Sequence, residues 1–342
     1  RVTCTSVRLS ADEAEQAALQ DMEEDDEDDS DDEEAEDNYR PLLIDSDDDD
    51  SDDDVSPLGV GQAAAVLAAR KVASADMPKI TAALKSPQVR QWTESIVAEI
   101  QNLINHHTGR EVLQSDLPPG AQVLPCKVVL KLKRDSEGVP TKYKARLCVL
   151  GNLRRKTSLH KVFSPTANEK SVKMLMALST AIGLTVISLD VYGAFLYPDQ
   201  VDQVFVAIPP SITGGTEVIW ELNKTMYGLD SSPRAFYDHV SAHLVAGNYS
   251  RWATDPCFFF KRGEAGAYLL AVVLHVDDFA VGSTDMALIT EFIAYMKTAY
   301  TVSVTRDVDH FLGIHVTDLG AGERRLNQPG PLTKLFDRHP SV

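Results

Sequence analysis

Two stretches of this chain end apolar, strand-like runs in carboxylates: residues 187–196 read ISLDVYGAFL, and residues 274–279 read LHVDDF. The second stretch follows a β-branched apolar run that is too short for a typical helix, which predicts a buried strand. Further apolar residues follow Asp277 and Asp278, so we expect a hairpin with charge at its tip, whereas the first stretch ends its strand on Asp190. Carboxylates beside an apolar sheet are costly unless a cation compensates them. Three carboxylates on two strand ends are what a pair of Mg²⁺ ions requires for in-line phosphoryl or nucleotidyl transfer.

Helical and strand-like patterns alternate along the rest of the chain. Four helices are predicted from start signals and apolar spacing, beginning near residues 86, 171, 232 and 284. Two strands at 258–261 and 268–276 are predicted to form a hairpin around a glycine-containing loop. Helices that alternate with antiparallel strands favour an α+β fold.

A hairpin with one basic face is predicted between residues 128 and 149. Apolar and basic residues alternate along both of its strands, which places Lys144 and Arg146 on the face opposite the apolar set. A basic face of this kind is either a solvated sheet surface or a finger that binds phosphate groups, and the alternation alone leaves both interpretations open.

Six groups of short motifs follow one another between about Trp92 and Phe336. They are YKARL at 143–147, FSP at 163–165, LDV and AFL within 189–196, YGL and PR within 227–234, VDD at 276–278 and FLG at 311–313. In this order they resemble the reverse transcriptase domain of copia-type LTR retrotransposons. The resemblance implies a right-hand polymerase fold with fingers and an antiparallel palm sheet. It also implies RNA-directed DNA polymerase activity, in which a dNTP is joined to the 3′-hydroxyl of a primer.

The same resemblance implies a metal site and a triphosphate site. Asp190 and Asp277 are the expected metal ligands, and Asp278 is a third carboxylate with a more indirect role. Together they are expected to bind two Mg²⁺ ions, for which Mn²⁺ can substitute. Lys144 and Arg146 are expected to contact the incoming triphosphate, because the fingers hairpin of the family covers it.

Three further residues are expected to contact the nucleotide or the template. Phe195 stands five residues after Asp190, where an aromatic ring of the resembled polymerases lies under the sugar and excludes a 2′-hydroxyl; a core position is the open alternative. Tyr227 and Gly228 are expected beside the template and the incoming base.

The resemblance also implies the partners of the chain. They are an RNA or DNA template with its primer, dNTPs, and integrase and ribonuclease H on the same polyprotein. The expected location is a cytoplasmic virus-like particle or the nucleus. No membrane partner is expected, because the longest uncharged run, residues 174–189, is shorter than the ~18–20 residues of a membrane span. The four cysteines lack Cys-x-x-Cys spacing, which argues against a zinc site and favours a reducing compartment.

The charge of the chain is concentrated at its N-terminus. Residues 1–54 hold 25 acidic and 3 basic residues, whereas residues 55–342 hold 26 acidic and 30 basic residues. We therefore predict a disordered acidic tail and Ala-rich linker over residues 1–85, followed by the reverse transcriptase domain over residues 86–342, with fingers, palm and a truncated start of the thumb or connection. The acidic segment is a solvated linker between domains, a ligand of histone-like or other basic proteins, or a mimic of nucleic acid.

The chain departs from the pattern of the resembled family at three places. His275 stands where the family usually has Tyr, Asp230-Ser231 stands where it usually has Lys-Gln, and Tyr197-Pro198 stands where it commonly has Asn-Gly in a turn. An anion in place of a cation beside a nucleic-acid path costs electrostatic attraction. Two rival hypotheses therefore stay open: an inactive relic that keeps the fold, and an interaction module whose function lies in the acidic segment.

Overall fold

The computed structural model describes residues 76–134, 139–155, 163–263, 268–306, 308, 310–312, 314–320 and 323–328. Of the predicted disordered tail and Ala-rich linker, residues 1–75 lie outside the described residues, whereas residues 76–85 are described and include a short helix. The described helices are α1 to α6: Ile80–Leu84, Val89–Asn105, Glu169–Ala181, Pro210–Thr213, Ser232–Ala246 and Met286–Lys297.

Fourteen strands are described. In chain order β1 to β14 they are Gly109–Val112, Val123–Arg134, Pro140–Val149, Thr185–Val191, Phe205–Ile208, Val218–Leu222, Ser250–Arg251, Phe258–Arg262, Tyr268–His275, Asp278–Ser283, Val302–Thr305, His310–Phe311, Ile314–Gly320 and Glu323–Asn327. Helices packed on mainly antiparallel sheets confirm the α+β class that the pattern predicts. Among the described helices, none is long and apolar enough to cross a bilayer.

The chain forms two compact units, and the first contains the basic hairpin. Among the described residues, this unit comprises those from 76 to Gln101, those of Lys127–Leu147, and Ile208–Val218. Its core forms where α2 lays an apolar face on β2 and β3, and the ring of Trp92 meets that of Tyr143 edge-on at 4.7 Å. The predicted amphipathic helix is thus present, although it begins at Val89, because residues 86–88 form a turn first.

The second unit contains a six-stranded antiparallel sheet in the order β11-β4-β10-β9-β8-β7. Both of its faces are covered. Side chains of β4, β9 and β10 pack against α5 and α6 on one face, and alternate side chains of the same strands pack against α3 and the β12–β14 sheet on the other. Val272 and Val273 therefore enter different cores although they are neighbours. Burial on both faces explains why β9 is a continuous apolar run.

Helix ends in the second unit follow the predicted signals with small shifts. Asp285 caps α6 by accepting a hydrogen bond from the N–H of Ala287 at 2.8 Å. Helix α3 begins two residues before its predicted start, because Asn168 caps it by accepting from the N–H of Lys170. Strand β4 runs through Val191, so Asp190 lies within the strand. The prediction that the strand ends on Asp190 is therefore wrong by one residue.

Candidate active site

The three predicted carboxylate residues meet at one end of the central strands. Asp190 of β4 lies directly opposite Asp278, the first residue of β10, and Asp277 precedes it in the turn between β9 and β10. The N–H of Val191 donates to the carbonyl of Asp277 at 3.1 Å. Side chains opposite one another on antiparallel strands are neighbours, and like charges there destabilise the pairing. The sheet thus brings together three acidic residues of which one is far from the other two in sequence.

The turn that carries Asp277 is short and strained. His275 pairs with Asp278, so Val276 and Asp277 are the two central residues of a tight hairpin. Val276 has a φ of 56°, which a β-branched residue rarely adopts. Such conformations cost about 1–3 kcal/mol and persist only where the surroundings impose them. Here the pairing of β10 with both β9 and β4 imposes it.

His275, one of the departures, is half-buried. Burial lowers the pKa of the imidazole, and the charge of Asp277 opposes that shift only in part. Its Nδ1 atom is buried and makes no hydrogen bond to the part of the chain that the structure describes.

Phe195 and Tyr227, two predicted nucleotide contacts, lie beside each other. Phe195 stands on the short 3-10 helix Ala194–Leu196, which Gly193 introduces with a φ of 68°. The ring of Phe195 lies 5.3 Å from that of Tyr227 and 6.4 Å from that of Phe236, both edge-on. Phe195 is half-buried and packs at the border of the core, so packing and nucleotide contact are both open to it.

The predicted residue Gly228 lies where two backbone segments press together. Its φ is +89°, and a Cβ atom there would stand 2.0 Å from the carbonyl oxygen of Val149. A Cβ on Gly151 would stand 2.2 Å from the carbonyl oxygen of Gly228. The N–H of Val149 also donates to the carbonyl of Tyr227 at 2.8 Å. Both glycines are therefore required for the segment 227–229 to lie against the end of β3.

An ion pair joins the same two segments, and it involves Asp230, another of the departures. Nη1 of Arg154 lies 3.9 Å from a carboxylate oxygen of Asp230, and Nη2 lies 3.4 Å from one of Asp202. The side chain of Arg154 is 10% exposed. The sequence alone weighs Asp230 only as an anion beside a nucleic-acid path, because no pattern indicates that a residue 76 positions earlier pairs with it.

Lys144 and Arg146 belong to the first unit, on β3, and both side chains are partly buried. The buried carboxylate of Glu99 accepts a hydrogen bond from the N–H of Leu147 at 3.2 Å. Burial raises the pKa of Glu99, while that hydrogen bond and the charges of Arg146 and Lys144 oppose the rise. Glu99 thus fixes the strand that carries both cations. The predicted alternation ends at Cys148, which is buried.

Comparisons with known proteins identify the family. The model of the family described as reverse transcriptase (RNA-dependent DNA polymerase) matches residues 112–337, and the chain belongs to this family. The resemblance to copia-type reverse transcriptases is thereby confirmed. Similar proteins include the retrovirus-related Pol polyprotein from transposon TNT 1-94 of Nicotiana tabacum, which is 28% identical over 236 residues, 68% of this chain and 18% of that protein.

Further relatives carry the same kind of name. The retrovirus-related Pol polyprotein from transposon RE2 of Arabidopsis thaliana is 26% identical over 244 residues, 70% of this chain and 16% of that protein. The chain therefore spans less than a fifth of the length of these relatives. A solved structure of the foamy viral protease-reverse transcriptase in complex with double-stranded DNA aligns with 73% of this chain and 36% of its own, at 15% identity and a TM-score of 0.40.

Proposed function

We propose that this chain is the RNA-directed DNA polymerase portion of a copia-type retrotransposon polyprotein. It joins dNTPs to the 3′-hydroxyl of a primer on an RNA or DNA template. The observation that carries the proposal is the pairing of Asp190 with Asp278 beside the turn that holds Asp277. Like charges that face each other on paired strands destabilise the pairing, and a divalent cation bound between them would relieve that repulsion.

The donor set fits divalent metal ions. Carboxylate oxygens are the ligands that Mg²⁺ prefers, and Mn²⁺ accepts the same ligands. Within the described residues, no three acidic, His or Cys side chains are already gathered around one point, so the carboxylates would have to turn towards a common point to bind a metal. Asp190 and Asp277 would hold the ions, with Asp278 supporting them. When bound, the metal would lower the barrier by activating the hydroxyl and neutralising the leaving oxygens.

The remaining site residues would orient the substrates. Phe195 would lie under the sugar of the incoming nucleotide, and Tyr227 and Gly228 beside the base and the template. Lys144 and Arg146 would bind the triphosphate through charge-assisted hydrogen bonds. In the proposed setting, integrase and ribonuclease H stand on the same polyprotein, and the enzyme works in a cytoplasmic virus-like particle or in the nucleus.

A primer-extension assay on an RNA template tests the proposal. We expect extension with Mg²⁺ or Mn²⁺, and a loss of at least about 1,000-fold in Asp190→Asn and in Asp277→Asn, because several kcal/mol of transition-state stabilisation disappear with a metal ligand. Asp278→Asn should lose the same or less. Asp116→Asn is the matched control, since Asp116 is an exposed carboxylate outside the six-stranded sheet.

Two results would contradict the proposal. Near-normal extension by Asp190→Asn or Asp277→Asn, with folding confirmed, would remove these residues from the chemistry. A folded wild-type chain that extends no primer with either ion would support the inactive relic.

A further inference from the structure

The pair of Arg154 and Asp230 lies at the end of a series of links between two segments. The first link is the hydrogen bond from the N–H of Val149 to the carbonyl of Tyr227. The second is the close approach of Gly151 and Gly228. Arg154 follows at the end of the 3-10 turn that Gly151 begins, and its N–H donates to the carbonyl of Gly151 at 3.0 Å. Backbone contact and ion pair thus join the same segments within a few residues.

The burial of Arg154 makes its acidic partners important. A guanidinium that cannot lose its proton is costly to bury unless carboxylates compensate it. Nη1, the nitrogen that faces Asp230, is buried and makes no hydrogen bond to the described residues. The carboxylate of Asp230 therefore compensates the positive charge of the guanidinium at this nitrogen. Nη2 is compensated by Asp202, with which it makes a hydrogen bond.

We propose that Arg154 and Asp230 form a clip that holds the segment 227–229 against the end of β3 and thereby positions Tyr227 beside Phe195. Asp230 is then a positioning residue for nucleotide selection. This inference rests on the proposed function, in which Phe195 meets the sugar. The physical link is short: Asp230 is three residues from Tyr227, whose ring lies 5.3 Å from that of Phe195.

The clip gives the departure at position 230 a specific meaning. A lysine there, which the resembled family usually carries, would in this chain face the guanidinium of Arg154 as a like charge. The anion therefore suits its neighbour and is not a sign of decay. A relic that had lost activity through this change should instead improve when lysine is introduced. The two hypotheses predict opposite effects for one substitution.

The test compares Asp230→Lys with the double variant Arg154→Gln/Asp230→Lys. Asp116→Lys is the control, because it alters the net charge equally at an exposed position. We expect Asp230→Lys to raise the KM for dNTP and to lower the selectivity for dNTP over rNTP, each by about tenfold, the scale of coupling between contacting residues. The double variant should recover to within about threefold of wild type, because the like charges no longer face each other.

Three outcomes would overturn the proposal. Higher activity in Asp230→Lys than in wild type supports decay instead. Equal defects in the single and the double variant show that Arg154 is not the partner. A lower melting temperature of Asp230→Lys with unchanged selectivity reduces the pair to a structural role. The melting temperatures of the same variants measure the coupling even if the wild-type chain extends no primer, so failure of the clip and failure of the proposed function are distinguishable.

Discussion

Replacing Gly228 by alanine should destabilise the second unit for two separable reasons. The φ of +89° costs an alanine about 1–2 kcal/mol, because its Cβ atom approaches the backbone. The same Cβ atom would stand 2.0 Å from the carbonyl oxygen of Val149, so one backbone segment must move. Forced overpacking costs about 1–3 kcal/mol. We therefore expect a loss of about 2–5 kcal/mol in the free energy of unfolding.

Two other glycines separate these costs. Gly120 has a φ of +76° with nothing within 4 Å of the position of its Cβ atom, so Gly120→Ala should lose about 1–2 kcal/mol through its backbone alone. For Gly151, the Cβ position lies 2.2 Å from a backbone oxygen and φ lies outside the left-handed region, so Gly151→Ala should lose about 1–3 kcal/mol through the clash alone.

Urea unfolding of the three variants measures these losses, and primer extension measures their effect on activity. We expect Gly228→Ala and Gly151→Ala to lose activity, because both push the segment 227–229 away from β3, whereas Gly120→Ala should extend primers normally. If Gly228→Ala is no less stable than Gly120→Ala, the two segments do not press together and the reasoning is refuted.

Three further predictions concern other side chains. Phe195→Val should admit ribonucleotides and Phe195→Tyr should exclude them, since only the first removes the ring; an unchanged incorporation ratio in folded Phe195→Val would leave Phe195 a packing residue. Lys144→Ala and Arg146→Ala should raise the KM for dNTP more than the Kd for primer–template, because the two cations bind the triphosphate. A variant that loses only affinity for primer–template would show that the hairpin binds the duplex backbone instead. Because burial raises the pKa of Glu99 above the ~4.3 of an unfolded Glu, its contribution to stability is present below that pH and is lost as pH rises through the folded pKa. Urea titrations at several pH values should show this fall in wild type and not in Glu99→Gln; equal slopes in both would contradict it.

The sequence predicts what periodicity and local signals encode. The apolar run of β9 predicts a buried strand, and Asp285 predicts the start of α6. Both features depend on residues that are close together in the chain. The motif around Asp277 locates the hairpin tip for the same reason. That Asp190 lies within β4 was missed, since the last pairing of a strand depends on its partner, here β11.

Contacts between distant residues are what the sequence could not predict. No sequence pattern indicates that Arg154 pairs with Asp230, or that the carboxylate of Glu99 accepts a hydrogen bond from the N–H of Leu147. Each is a tertiary contact between a side chain and a group more than forty positions away. Gly228 was expected from its motif, but the reason that it must be glycine is the carbonyl of Val149, which only the fold supplies.

The covered central sheet has a consequence for hydrogen exchange. Strands β4, β9 and β10 are buried on both faces, and β4 is flanked by β10 and β11. Backbone amides in such a location exchange with solvent only through global opening, not through local fraying. Asp190 lies in this doubly covered part of the sheet although it is itself exposed. A partly opened molecule that keeps β4 and β10 protected therefore keeps Asp190 opposite Asp278, and protection of the amides of Leu189 and Phe279 should persist until the whole unit unfolds.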